Sequence, residues 1–244
     1  MTVLLAFDSS TESMALALVM SSGESIVVDA EGGPQASARL VPEALALLAR
    51  AGLTLAEVDA IGFGRGPGAF TGLRTACAVA QGLAFGAGKP VLSLDSLMLV
   101  AEDARQQAAA AGDPLAGSVW VAMDARMGEI YAGAYRLAGE RWVTDTEPGL
   151  YAPATLLAQW GEPGAIAGSA LTAFEGQLGL AGRAVRCWPQ AASRGRALAV
   201  LAQQAWAAGA LLDPAEAMPV YVRDKVAQTT QERLEARSAL SASS

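Results

Sequence analysis

Phe7-Asp8-Ser9-Ser10-Thr11-Glu12-Ser13 and Met123-Asp124-Ala125-Arg126-Met127-Gly128-Glu129 repeat one arrangement 116 positions apart. In each, an apolar run ends at an aspartate, a polar turn follows, and a second apolar run begins. A duplicated strand, turn, strand unit is one cause of such a pattern; coincidence is the other, since strands often end at Asp. Outward from the first copy, Val3 to Asp8, Met14 to Met20 and Ile26 to Asp29 read as three strands in meander order. A helix from Ser37 as cap to Arg50 follows, with Leu40, Ala44, Leu47 and Leu48 on one stripe and Pro42 at its first turn or a kink. Val58 to Phe63 reads as a buried strand, Thr71 to Gly86 as a helix, Val91 to Leu94 as a strand and Ser96 to Ala111 as a helix.

Gly112-Asp113-Pro114 breaks the chain, and the second copy starts over. Ser118 to Asp124, Glu129 to Leu137 and Arg141 to Thr146 read as strands, Pro153 to Trp160 as a helix, Ala165 to Ala167 as a strand, and Arg196 to Leu212 as an Ala-rich helix. Two units are therefore expected, 1–111 and 112–224. The Gln, Thr, Ser, Ala and charge of 225–244 read as a disordered tail.

Composition narrows the chemistry. The 244 residues contain no histidine, two cysteines, 17 Lys plus Arg and 24 Asp plus Glu, for a net charge of −7. Without imidazole there is no Ser/His/Asp or Cys/His nucleophile system and no histidine metal shell. The acidic balance argues against holding nucleic acid by an overall field, so a role there should run through a partner. Cys77 and Cys187, 110 positions apart, suggest neither a disulfide framework nor a metal knuckle. With no basic leader and no apolar run of membrane length, a soluble cytoplasmic protein is expected.

Asp8-Ser9-Ser10-Thr11 offers a carboxylate and hydroxyls that suit either phosphate and hydrated Mg²⁺ or ordinary turn bonding. Gly64 to Ala69 fits G-x-G-x-x-A, yet Pro67 removes a donor where a dinucleotide loop turns into its helix, and Asp95 lies 31 residues on, against about 20. A tight loop with Thr71 as helix cap, or a partner-facing loop, remains. From Gly72 to Gly86 only Arg74, Thr75 and Gln81 are polar, so that helix should be covered on all sides, by the Leu40 to Leu48 helix or by another subunit. Asp124, Arg126 and Glu129 read as an acid/base pair or a hairpin with a local ion pair. Arg183, Arg186, Arg194 and Arg196, around Trp188, form a basic cluster that is either solvated surface or an RNA contact.

These residues carry a resemblance. Asp8 to Thr11, Gly64-Arg65-Gly66-Pro67-Gly68-Ala69-Phe70-Thr71-Gly72-Leu73-Arg74, Gln81 to Ala84, Asp124 to Tyr131 and Pro219-Val220-Tyr221-Val222-Arg223 are similar to the TsaB family. That family serves the bacterial machinery for threonylcarbamoyladenosine next to the tRNA anticodon. The resemblance implies an α/β fold of two ribonuclease-H-like lobes with actin-like ATPase architecture. It also implies a non-catalytic subunit that pairs with a TsaD-type catalytic subunit through first-lobe helices, is joined by a TsaE-type ATPase, and forms a homodimer when alone. Contact with tRNA would be indirect, with no membrane role.

The expected interface residues are Leu40, Ala44, Leu47, Leu48, Ala76, Ala80 and Leu83, so Ala80→Asp or Leu83→Arg should abolish pairing. Two departures bear on chemistry: Ala36 stands where many family members have His, and Arg126 crowds the turn after Asp124, arguing for a degenerate nucleotide cleft. Asp8, Ser9, Ser10, Thr11, Asp124 and Gly168 are its expected remnants, with weak or absent ATP or ADP binding, no required cofactor, no metal and no catalytic residue. The rival reading is an ATP-dependent phosphotransferase or ATPase with Asp8 and Asp124 flanking Mg-nucleotide. A peptidase is disfavoured because neither cysteine has an evident activating base.

Overall fold

Alternation along the first strand sets the layering: Val3, Leu5 and Phe7 join one buried cluster, and Leu4 and Ala6 join another. A strand apolar on both faces belongs inside a sheet covered on both sides. In a computed structural model that describes residues 2–223, the first sheet contains β1 (Leu4–Asp8), β2 (Ser13–Val19) and β3 (Ser25–Glu31) as an antiparallel meander. After α1 (Ala36–Arg50) come β4 (Ala60–Gly66), α2 (Phe70–Ala87), β5 (Val91–Asp95) and α3 (Ser96–Ala110). β4 and β5 add in parallel on the other side of β1.

The second sheet repeats the plan. It is built from β6 (Ser118–Asp124), β7 (Ile130–Ala138), β8 (Arg141–Tyr151), α4 (Pro153–Trp160), β9 (Ala165–Ala167), α5 (Ala170–Ala173), β10 (Arg186–Trp188) and α6 (Arg194–Ala207). The final strand, β11 (Leu211–Leu212), pairs antiparallel with β5. The strand orders are β11-β5-β4-β1-β2-β3 and β10-β9-β6-β7-β8, each a three-strand meander continued by parallel strands. This is the α/β architecture of two ribonuclease-H-like lobes, and it makes Asp8 and Asp124 equivalent ends of equivalent strands.

Five layers result. α1 and α2 cover the outer face of the first sheet, α3 and α6 lie between the sheets, and α4 and α5 cover the outer face of the second. Burying a side chain such as Phe7 or Leu16 in these layers is worth about 1.5–3 kcal/mol each. Polar ties from the end of β5 and from α3 hold β7, β8 and the start of α6 to them. The Tyr135 hydroxyl donates to Asp95 at 3.0 Å, Trp142 Nε1 donates to the fully buried Glu102 at 2.9 Å, and Asp103 accepts the Ser193 N–H at 2.8 Å.

Several expectations need correction. α6 stops at Ala207, and Leu211–Leu212 form a strand of the first sheet instead of the end of a helix. α6 packs on β1, β2 and β3, so the expected unit 112–224 does not pack as one segment; its last third returns to the first sheet. Ser37 and Thr71 lie inside their helices, whose N-caps are Gln35 and Ala69. The expected disordered tail, 225–244, lies outside the described residues. Among the described residues, no helix is long and apolar enough to cross a membrane.

Candidate functional site between the two lobes

The glycine-rich stretch is a clamp on the Asp8 turn. A Cβ on Gly64 would stand 1.7 Å from Asp8 Oδ2, and one on Gly72 would stand 1.8 Å from the Ser9 carbonyl oxygen. Only glycine lets β4 and α2 approach so closely. The contact is sealed by the Ala69 N–H donating to the Ser10 carbonyl at 2.7 Å and by Ser9 Oγ donating to the Gly72 carbonyl at 2.8 Å. Asp8, Ser9 and Ser10 are consequently buried. The tight backbone approach expected of the loop is observed.

Asp8 already accepts four hydrogen bonds. Its Oδ1 accepts from the Ser10 N–H at 3.0 Å and Ser10 Oγ at 2.7 Å, and its Oδ2 accepts from Ser96 Oγ at 2.7 Å. Arg194, at the start of α6, closes the set with Nη2 2.6 Å from Oδ1, while its Nη1 donates to Thr11 Oγ1 at 3.1 Å. Both side chains are buried, 6% and 0% exposed, so the pair is a built-in charge neutralisation. A guanidinium fixed on the carboxylate offsets the negative charge that would draw hydrated Mg²⁺. The residues present do not fit a Mg-nucleotide.

The second copy is closed differently. The Asp124 N–H donates to Ser169 Oγ at 3.0 Å, and its carboxylate accepts from the Arg126 N–H at 2.8 Å and Arg126 Nη1 at 3.2 Å. Arg126 and Met127 both have positive φ, 63° and 57°, a conformation that costs a non-glycine residue about 1–3 kcal/mol. That turn aims the Arg126 guanidinium across the cleft to Glu12 of the first lobe. Arg223 then pairs with Glu129 at 2.7 Å. The hairpin ion pair is what the structure contains in place of an acid/base couple.

Between these walls lies a cavity of about 850 Å³, bordered by Ser10, Thr11, Asp124, Gly168 and Arg194 among others. Of the expected cleft residues, Ser10, Thr11, Asp124 and Gly168 border it; Asp8 is buried behind it on Arg194, and Ser9 is turned into the loop contact. The pairing residues do not form a surface. Leu40, Ala44, Leu47, Leu48, Ala76 and Ala80 are buried in the chain's own core between α1, α2 and the first sheet, and Leu83 is half-buried there. The Leu40 to Leu48 helix is the neighbour of α2, as one of the two readings had it. What α1 and α2 expose is another stripe, with Ala78, Gly82 and Phe85 on α2 and Leu45 on α1; Phe85 is 61% exposed.

The arginine cluster also dissolves. Arg194 is buried on Asp8, Arg183 donates to the Gly161 carbonyl at 2.7 Å, and Arg186 pairs with Asp113 at 3.0 Å. Arg196 is exposed in the first turn of α6. Sequence reasoning missed the role of Arg194. The available signal was a helix-opening arginine after the N-cap Ser193 with no acid nearby in sequence, which leaves only a distant partner. Of the cysteines, Cys77 is buried with Sγ donating to the Ala217 carbonyl and Cys187 is exposed; desolvation pushes both thiols up from their ordinary values.

Two ribonuclease-H-like lobes around a cleft whose first aspartate is paired from within define the class: a two-lobed α/β protein of ribonuclease-H-like architecture. Comparison with known proteins refines that class. A family model described as TsaD: tRNA N6-adenosine threonylcarbamoyltransferase matches residues 30–235. The solved structure of YeaZ from Pseudomonas aeruginosa is 34% identical, covers 91% of this chain and 100% of its own, and superposes with a TM-score of 0.79. The tRNA threonylcarbamoyladenosine biosynthesis protein TsaB of Haemophilus influenzae is 41% identical over 128 residues, 52% of this chain and 51% of that protein. Its Escherichia coli counterpart is 39% identical over 98 residues, 40% of each. The chain belongs to this family, on its TsaB (YeaZ) side. The matches span about half or less of these two curated relatives.

Proposed function

We propose that the chain is a non-catalytic scaffolding subunit required for threonylcarbamoyl modification of the adenosine next to the anticodon in tRNA. It acts by pairing with a TsaD-type catalytic subunit, and a TsaE-type ATPase joins the pair. Alone it forms a homodimer, meets tRNA only through its partner, works in the cytoplasm, and binds ATP or ADP weakly or not at all.

The observation that carries this reading is the outer face of α1 and α2. Leu45 on α1 and Phe85 on α2 stand exposed, and so do Ala78 and Gly82 on α2, small residues that admit a second helix at close range. The names of the relatives supply the pathway, and the Asp8 to Arg194 pair removes the ATPase rival's metal ligand.

The test is reconstitution. Modification of tRNA by the TsaD-type and TsaE-type proteins with threonylcarbamoyl donor should need this chain and should fall at least tenfold with Gly82→Arg, whose side chain meets open space in the monomer. Full activity without the chain overturns the proposal.

A further inference from the structure

One charge on α2 has no counter-charge. Arg74 is the only charged residue of that helix, and it is exposed. Its guanidinium lies on the Phe70 ring, with Cζ 3.8 Å from the centroid, and its Nε donates to the Tyr221 hydroxyl at 3.1 Å. The two rings stand 5.1 Å apart and brace each other. Next to Tyr221, the Val220 N–H donates to the Arg65 carbonyl at 2.7 Å, so this aromatic shelf is tied to β4. Among the described residues no group accepts a hydrogen bond from Nη1 or Nη2 of Arg74. A stacked guanidinium with one edge tethered and the other free is a fork set for a planar bidentate acceptor. Holding it still beforehand removes part of the ordering cost of docking.

The spacing of Arg74, Ala78, Gly82 and Phe85 puts them on one face of α2, and all four are exposed. A protein that covers this face covers Arg74 with it, and a guanidinium buried without an acceptor is heavily penalised. A phosphate backbone would find no second cation on α2 to neutralise it. A second copy of the chain brings no free acid from the same pair of helices. α2 has none, and Glu43, the one acid of α1, is held by Arg39 at 3.1 Å. We propose that Arg74 is the receptor for an aspartate or glutamate side chain of a different protein docked on α1 and α2, and that it favours such a partner over a second copy. The inference rests on the pairing reading and deepens it: the TsaD-type subunit is the occupant, and a carboxylate on its docking face is the contact.

The test is a calorimetric titration of the TsaD-type subunit into the full-length chain at low and high salt. Arg74→Met, which keeps the apolar stem and loses the charge, should raise Kd at least tenfold and flatten its salt dependence. Tyr221→Phe, which keeps the ring and loses the oxygen that holds Nε, should raise Kd severalfold. Both positions are exposed, so thermal unfolding should stay within a degree or two of the parent. Self-association of Arg74→Met, read by sedimentation equilibrium, should be unchanged or tighter. Arg74→Met that pairs as tightly as the parent, or self-association that weakens as much as the heterodimer does, overturns this inference and leaves the pairing reading in place. A parent chain that forms no heterodimer overturns the pairing reading and this inference with it.

Discussion

Asp8→Ala is the sharpest perturbation of the cleft. In the folded chain Asp8 is fully buried and accepts from Ser10, Ser96 and Arg194, with Arg194 Nη2 at 2.6 Å. Its removal leaves a guanidinium in a buried position with its counter-charge gone. Breaking a buried ion pair from one side costs about 3–5 kcal/mol. For a chain of this size each kcal/mol moves the midpoint by about 2–4 °C, so Tm should fall by about 6–20 °C. Both residues are almost wholly buried, so solvent screening takes little from that figure.

The second arm is Arg194→Met combined with Asp8→Ala. With neither charge present, no buried group is left orphaned, and about 0.5–3 kcal/mol should return relative to the sum of the single variants. Urea unfolding followed by tryptophan fluorescence and circular dichroism measures the cycle. Additive losses, or an Asp8→Ala protein as stable as its parent, would refute the claim that this aspartate is a structural ion-pair partner.

Three other outcomes follow from the geometry. Gly72→Ala should cost several kcal/mol and leave little soluble protein, because its Cβ would collide with the Ser9 carbonyl, whereas Gly82→Ala should raise stability by about 0.5–1 kcal/mol; thermal melts of the two decide it. Ala80→Asp should unfold the chain, since the position is 0% exposed in the core between α2 and the first sheet, and circular dichroism separates that from a clean loss of pairing. The third concerns pH. Burial raises the Asp95 carboxyl above its ordinary value, so the folded state holds a proton that the unfolded state has released in the window above that ordinary value. Stability from this group is full below the unfolded pKa and is lost as pH rises through the folded one. The advantage of the parent over Asp95→Asn should accordingly shrink from pH 4 towards neutral in urea titrations; a gap that widens with pH contradicts the assignment.

The strands were legible because burial leaves a period-2 signature, and the Asp8 and Asp124 repeat located both lobes. The return of the chain to the first sheet was not. Leu211–Leu212 is a two-residue strand directly after an Ala-rich helix, too short to register as a period. The exposed face of α2 was misread for a related reason. α2 is apolar around its circumference, so composition could not tell Ala76 and Ala80, which face the sheet, from Ala78 and Gly82, which face outward. The Gly-Pro-Gly stretch was visible as unusual, but its role depends on contacts from Gly64 to Asp8 and from Gly72 to Ser9 across some sixty residues, which no local pattern encodes. Arg194 shows the same limit: its charge reads as surface until Asp8, 186 positions away, is placed beside it.

The central claim is that the exposed strip of α1 and α2 is a pairing surface on a body that does no chemistry. Light scattering of the chain mixed with a TsaD-type subunit tests it most directly. The parent should give a one-to-one heterodimer, and Gly82→Arg together with Phe85→Asp should give two separate species while the melting temperature of the chain is unchanged. A heterodimer that survives both substitutions would contradict the account.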